Sequence, residues 1–262
     1  AGRSVSASEH APTAGLLAAF DTVRRMGAIA GILFRERRVD PAAARGMIAA
    51  SPHRGDLGPT AIIGRAVLAT TVPGELHDAS LWSDGTLAVA FSGSLDNAEE
   101  LARQLSPQVQ EGLAQEPAAI VASAFGAHGE RLPERLRGMY ACVITDGEAM
   151  WCFRDHLGLA TLFYRDDVPG FFAATEAKQV VAGSRIPYEP DLEVLEAIFY
   201  SDYDDETPSA LKGVRRLPKS MLLEARDRRS RIQRYWHPER LLETATMTRD
   251  EVADGFHDLM EQ

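Results

Sequence analysis

Four short apolar runs follow one another between residues 139 and 176: "MYACVITD", "AMWCFRD", "TLFYRDD" and "GFFAATE". They constrain the fold more than any other feature of the chain. Turn residues such as Asp146-Gly147 and Pro169-Gly170 separate the runs, so each reads as a strand that reverses direction before the next. The segment is an antiparallel meander. Phe163, Tyr164, Phe171 and Phe172 recur at strand spacing and read as core side chains, not as a box for a ligand.

Elsewhere the period changes. Ala28 to Phe34, inside "RRMGAIAGILFRERR", is a strand-like run directly behind Met26-Gly27. Asp40 followed by Pro41 is a cap and first-turn signature for a helix through "PAAARGMIAA". Strands are expected at "TAIIG", "AVLATTV" and "TLAVAFSG", the last ending in the turn "GSLDN". Asp96 can cap a helix at "NAEELARQL", and Pro117 can open another at "PAAIVASAFGAHG". A helix "DLEVLEAIFYSD" follows Pro190, then the strands "KSMLLEAR" and "RIQRYW". Strands and helices mix without strict alternation, so the expected class is α+β with mainly antiparallel sheet. Residues 1–25 read as an extension ending in the short amphipathic helix "AGLLAAFDTVRR". The last segment, "TRDEVADGFHDLMEQ", is helical in pattern and stops without a cap, which suggests a cut inside an element.

Composition narrows the function. With 262 residues and 45% hydrophobic content the chain can bury a full core. Its net charge is −10 and no Lys/Arg-rich block is dense enough to give the basic face that a phosphate backbone requires, so nucleic acid is not an expected partner. The densest basic run, "ARDRRSRIQR", reads as a hairpin turn carrying solvated arginines. No apolar segment reaches the ~20 residues that span a bilayer, and the start lacks the order of a signal peptide, so no membrane partner and a cytoplasmic location are expected. Cys142 and Cys152 lie in apolar strands and read as two buried reduced thiols, with neither the spacing nor the histidines for a metal site.

In this order and spacing, the pieces resemble the class II glutamine amidotransferase domain, the glutaminase half of asparagine synthetases, over residues 26–236. The block that carries the resemblance is "RLRGMYACVITDGEAMWCFRDHLGLATLFYRDDVPGFFAATEAKQVVA", residues 135–182. It is similar to that family's L-R-G-M-F-A, ARDRLGIKPLYY and ASEIKAL segments. The resemblance implies a four-layer αββα sandwich of two antiparallel sheets, the N-terminal-nucleophile hydrolase fold.

It also implies where chemistry should sit. In that family an N-terminal Cys attacks the glutamine amide and its own α-amino group is the base, which requires both groups on one residue. The family's M-C-G-I-A-G falls on Met26-Gly27-Ala28-Ile29-Ala30-Gly31, so Gly27 stands where the nucleophile belongs. The arginine that holds the glutamine carboxylate falls on Val67. The oxyanion-hole segment N-G-E falls on Ser92-Gly93-Ser94, and the S-D-T-E segment that binds the substrate amine becomes Glu116-Pro117-Ala118-Ala119. His53-Arg54-Gly55 matches the family's H-R-G turn and is expected to serve packing and turn geometry. Losing one oxyanion donor costs about 3 to 4 kcal/mol of transition-state stabilisation, and losing nucleophile and both clamps together leaves no glutaminase mechanism. The vestigial pocket is therefore expected at Gly27, His53, Val67, Ser92, Gly93 and Pro117, with no catalytic residue and no metal. Arg154 and Asp155 are expected to form an internal ion pair that fixes a turn.

The resemblance implies a parent that forms amides with ATP and takes its amine from its own substrate, as β-lactam synthetases and lasso peptide cyclases do. ATP and Mg are expected only in a downstream synthetase domain with an S-G-G-x-D-S loop, and no cofactor in this chain. Residues 237–262 read as the linker and the start of that domain. The expected partners are the synthetase domain or subunit and a precursor peptide. Two further readings compete: a self-standing pseudo-amidotransferase that binds a partner protein or peptide, and a hydrolase using Ser92 or an exposed thiol.

Overall fold

The computed structural model describes residues 26–36, 39–72, 78–104, 116–200, 206–239 and 248–261. At its centre β1 (Ile29–Phe34) is buried along its whole length. It pairs antiparallel with β3 (Ala66–Thr71) on one side, Ala30 facing Ala69, and with β9 (Gly170–Ala174) on the other, Ala30 facing Ala174. Adding β2 (Leu57–Ile63), β8 (Phe163–Asp166) and β10 (Arg215–Arg216) completes a six-stranded sheet in the order β10-β8-β9-β1-β3-β2. The second six-stranded sheet runs β12-β11-β7-β6-β5-β4. Its strands are β4 (Ala79–Ser83), β5 (Ala88–Gly93), β6 (Tyr140–Thr145), β7 (Ala149–Arg154), β11 (Met221–Arg226) and β12 (Arg229–Arg234).

Alternation along each strand sends side chains to opposite faces, and this builds three cores from two sheets. Ile29, Leu33, Leu68, Val143, Met150, Cys152 and Leu223 meet between the sheets. Ala30, Ile32, Val67 and Phe172 face outward from the first sheet against α1 (Pro41–Ala49) and α4 (Ala177–Ser184). Phe91, Cys142, Ile144 and Phe153 face outward from the second sheet against α2 (Ala98–Gln104) and α3 (Pro117–His128). The layer order is helix, sheet, sheet, helix, and the sequence expectation of an antiparallel αββα sandwich holds. At Gly31 the sheets approach so closely that a Cβ would stand 2.9 Å from Val143 Cγ1.

Two helices contribute no side chain to these cores. α5 (Leu192–Phe199) has no buried residue, and α6 (Arg249–Glu261) is exposed along its described side chains. Asp40 caps α1 as expected, accepting from Ala42 N at 3.0 Å. At the start of α2 it is Asn97, not Asp96, whose side chain holds the turn, bonding Arg135 O and Arg137 N at 2.9 Å each. The arginine-rich run is the β11-β12 hairpin, turning through Asp227 at φ 54°. Three elements escaped sequence reading: β4, the two-residue β10, and α4, whose capping box joins Glu176 and Gln179.

The N-terminal segment 1–25 and most of the expected linker, residues 240–247, lie outside the described residues. Among the described residues no helix is long and apolar enough to cross a membrane.

Candidate functional site

One end of the sandwich gathers the start of β1, the end of β3, the start of β4 and the end of β5. Met26 forms a parallel bridge with Asp78, and Gly27 N donates to Asp78 O at 3.4 Å. Gly93 N donates to the same carbonyl at 3.0 Å. Ser92 Oγ donates to Gly27 O at 2.7 Å, and Ala28 N donates to Thr71 Oγ1 at 3.0 Å. Met26 is buried between the sheets, and its carbonyl accepts from Arg54 at 3.3 Å. Gly27 is thus an internal residue stitched into sheet on both sides.

Space at Gly27 is already taken. A Cβ there would stand 2.6 Å from Ala79 Cβ and 2.6 Å from Thr71 Oγ1. Ala79 is fixed on β4 opposite Ser92, and Thr71 is tied to Ala28, so neither atom is the loose end of a flexible side chain. Gly93 is equally constrained: its φ is +112°, and a Cβ would fall 2.0 Å from Met139 O.

Gly93 and Pro117 line a cavity of about 350 Å³ together with Asp78, Ala79, Ser80 and Ser94. Pro117 opens α3 as its composition predicts, but the cap comes from the neighbouring sheet, where Ser80 Oγ on β4 accepts from Ala118 N at 3.1 Å. Ser92 is fully buried and its hydroxyl donates to the Gly27 carbonyl, an arrangement that ties the end of β5 to the start of β1. The two thiols are buried as well. Cys142 and Cys152 are free and buried on opposite faces of the second sheet, and burial pushes both well above the usual thiol range.

His53 and Arg54 meet this site through Glu176. That carboxylate accepts from Ser51 Oγ at 3.0 Å, His53 Nε2 at 2.7 Å and the Arg54 guanidinium, with Lys178 Nζ at 3.2 Å. Burial alone would push the Glu176 carboxyl up, but the hydrogen bond and charge of Arg54, then His53 and Lys178, hold it down at about 2. Its ordinary value is 4.5, so the stabilisation is complete above about pH 4.5 and drains away as pH falls toward 2. Glu176→Gln is expected to cost about 2 kcal/mol at pH 7. Its unfolding midpoint in urea should converge on that of the parent chain as pH is lowered through this window.

Val67 is not brought to the cavity. It lies four residues from Thr71 along β3, about 13 Å away, and packs toward the α1 and α4 layer between Ile32 and Ile62. The structure therefore gathers Gly27, Ser92, Gly93 and Pro117, links His53 by way of Glu176 and Arg54, and leaves Val67 in a helix-side core. Sequence reading missed Thr71, Asp78, Ala79 and Glu176. Only Glu176 carried a signal, the E-x-x-Q spacing of a capping box.

The expected Arg154–Asp155 pair is corrected. Successive strand side chains point to opposite faces, so the two residues do different jobs. Arg154 is fully buried, donating to Ala160 O at 2.9 Å and to Glu206 Oε2 at 3.3 Å, while Asp155 accepts from the amides of Leu159 and Ala160 at 2.9 and 2.8 Å. Both still fix the turn. Among the described residues no group of three or more His, Cys, Asp or Glu side chains could hold a metal ion.

Two antiparallel sheets between helical layers, with the first strand starting at a pocket in the end of the sandwich, define a hydrolase fold of the N-terminal-nucleophile type. More narrowly, the chain belongs to the glutamine amidotransferase domain family, whose model matches residues 26–236. Among solved structures it is similar to the glutamine phosphoribosylpyrophosphate amidotransferase from B. subtilis, complexed with ADP and GMP. The TM-score is 0.55 at 16% identity, over 80% of this chain and 49% of that one. A structure described as the allosteric regulatory enzyme of purine biosynthesis matches at a TM-score of 0.54 and 15% identity, again over 80% of this chain and 49% of that one. The chain spans about half the length of these structures, and at such identities the likeness shows the fold alone. No curated protein sequence matches it.

Proposed function

We propose that this chain is a glutaminase-like domain that has lost glutamine hydrolysis. It serves an ATP-dependent, amide-forming ligase of the asparagine synthetase type as scaffold or docking surface. The nucleophile position carries the reading: Gly27 has no side chain, its amide is spent on Asp78 O, and Ala79 and Thr71 occupy the space a thiol would need. The amide of Gly93, on which the family resemblance places an oxyanion donor, is spent on the same carbonyl. At these two positions no side chain is present to attack an amide and no amide is free to stabilise the oxyanion that attack would create.

A ligase whose amine belongs to its own substrate needs no ammonia, so the loss is chemically coherent with a parent of the lasso cyclase or β-lactam synthetase kind. ATP and Mg act in the synthetase domain or subunit, which is the principal partner in the cytoplasm, and a precursor peptide is the further partner. The exposed stripe of Val252, Phe256, Leu259 and Met260 on α6 supports a synthetase contact, because those side chains recur at helical spacing and lack cover here.

The test is a glutaminase assay on the purified chain. Glutamate release is expected at no more than the uncatalysed rate. Turnover that disappears in Ser92→Ala would instead establish a hydrolase.

A further inference from the structure

Tyr188, Leu192, Leu195, Ile198, Phe199 and Tyr200 are exposed apolar side chains on and around α5, and the rings of Phe199 and Tyr200 meet edge to face at 5.2 Å. Phe199 is 82% exposed, and Tyr188, Leu192 and Tyr200 are 69% exposed each. On the helix, Leu192, Leu195, Ile198 and Phe199 follow three-and-four spacing on the solvent side, while Val194 and Ala197 turn partly inward. The helix is firmly mounted. The Asp191 carboxylate accepts from Val194 N, Asp191 N donates to Ala210 O at 2.9 Å, and Pro190 bridges Leu211. Just before the helix, Glu189 pairs with Lys212, whose amide donates to Glu189 O at 3.0 Å.

We propose that this patch pairs with the same patch on a second copy of the chain, α5 against α5 about a two-fold axis. A straight apolar stripe is self-complementary under such an axis, because one row of side chains can interdigitate with its own copy. Its size also fits. Three aromatics exposed by two thirds or more supply roughly 400 Å² and the three aliphatic residues bring the patch to about 600 Å², most of the ~800 Å² per partner of a stable interface.

Charge sets the conditions. Glu193 and Glu196 flank the stripe, and the whole chain carries −10, so two copies repel each other at low salt. At about 0.15 M salt the screening length is about 8 Å, and the apolar term prevails. Pairing with itself therefore tightens as salt rises, whereas docking of a basic partner would weaken. The inference is independent of whether the pocket hydrolyses glutamine.

Sedimentation equilibrium of the 262-residue chain between about 1 and about 200 µM tests it. A monomer–dimer equilibrium is expected, tighter at about 0.5 M than at about 0.05 M NaCl. Leu195→Glu with Phe199→Glu should raise the dissociation constant at least about a hundredfold, by burying unpaired carboxylates in the interface. Unchanged thermal unfolding of that variant at low concentration would show the fold intact. Phe256→Glu on α6 should leave the dimer alone. A chain that stays monomeric throughout, a dimer that survives the double substitution, or one that Phe256→Glu dissolves would each overturn the proposal.

Discussion

Gly27→Ala is expected to lower the stability of the chain by about 3 kcal/mol, with a fall in Tm of about 6 to 12 °C. The added methyl would meet Ala79 Cβ and Thr71 Oγ1 at 2.6 Å each, and both belong to strands whose register is held by backbone pairing. Overpacking of this kind is relieved only by moving backbone. Ala79→Gly in the same chain removes one of the two contacts and is expected to return most of the loss, so a double-mutant cycle should show strong coupling between positions 27 and 79. Additive effects would mean that the crowding lies elsewhere. The functional corollary concerns Gly27→Cys in a chain trimmed to expose that residue. It is expected to release no glutamate, since the thiol lacks room and the Gly93 amide remains on the Asp78 carbonyl.

Arg154→Ala is expected to cost about 4 kcal/mol. Arg154 heads the largest fully buried side chains of the protein, and it holds Ala160 O and Glu206 from inside the sandwich. Removal leaves a cavity and an unpaired carbonyl, and frees the turn that Asp155 closes on Leu159 and Ala160. Burial lowers the guanidinium's proton affinity, partly offset by Glu206, yet an arginine remains charged near neutral pH. Arg154→Lys keeps the charge and one bond, and is expected to recover about half of the loss. Urea unfolding of the three chains gives the ranking, and an alanine variant within about 1 kcal/mol of the parent would show that the turn stands without the arginine.

Much of the fold was legible in the residues. The strands of the meander, the cap at Asp40, the helix start at Pro117 and the hairpin at Asp227 were readable because turn chemistry and apolar runs are local properties. β4 and β10 were not. β4 is only partly buried over Ser80, Leu81 and Trp82, so it lacks the dense apolar run of its neighbours, and β10 is two arginines that pair only because β8 lies beside them. α4 was hidden for a different reason, since its Glu176 also serves the neighbouring polar cluster.

The candidate site divides in the same way. That Gly27 has no nucleophile is a matter of residue identity, and it follows from the order of residues around it without any coordinates. That Thr71 and Ala79 crowd the space beside Gly27 follows only from folding, because Gly27 meets them across 44 and 52 residues of chain through β3 and β4. The same holds for Arg154, whose neighbour Asp155 turns away while Glu206 comes from 52 residues downstream. Local spacing determines which elements form and which side chains each can offer. Strand pairing and packing determine which of those side chains meet, and so whether the end of this sandwich is an open pocket for chemistry or a stitched seam.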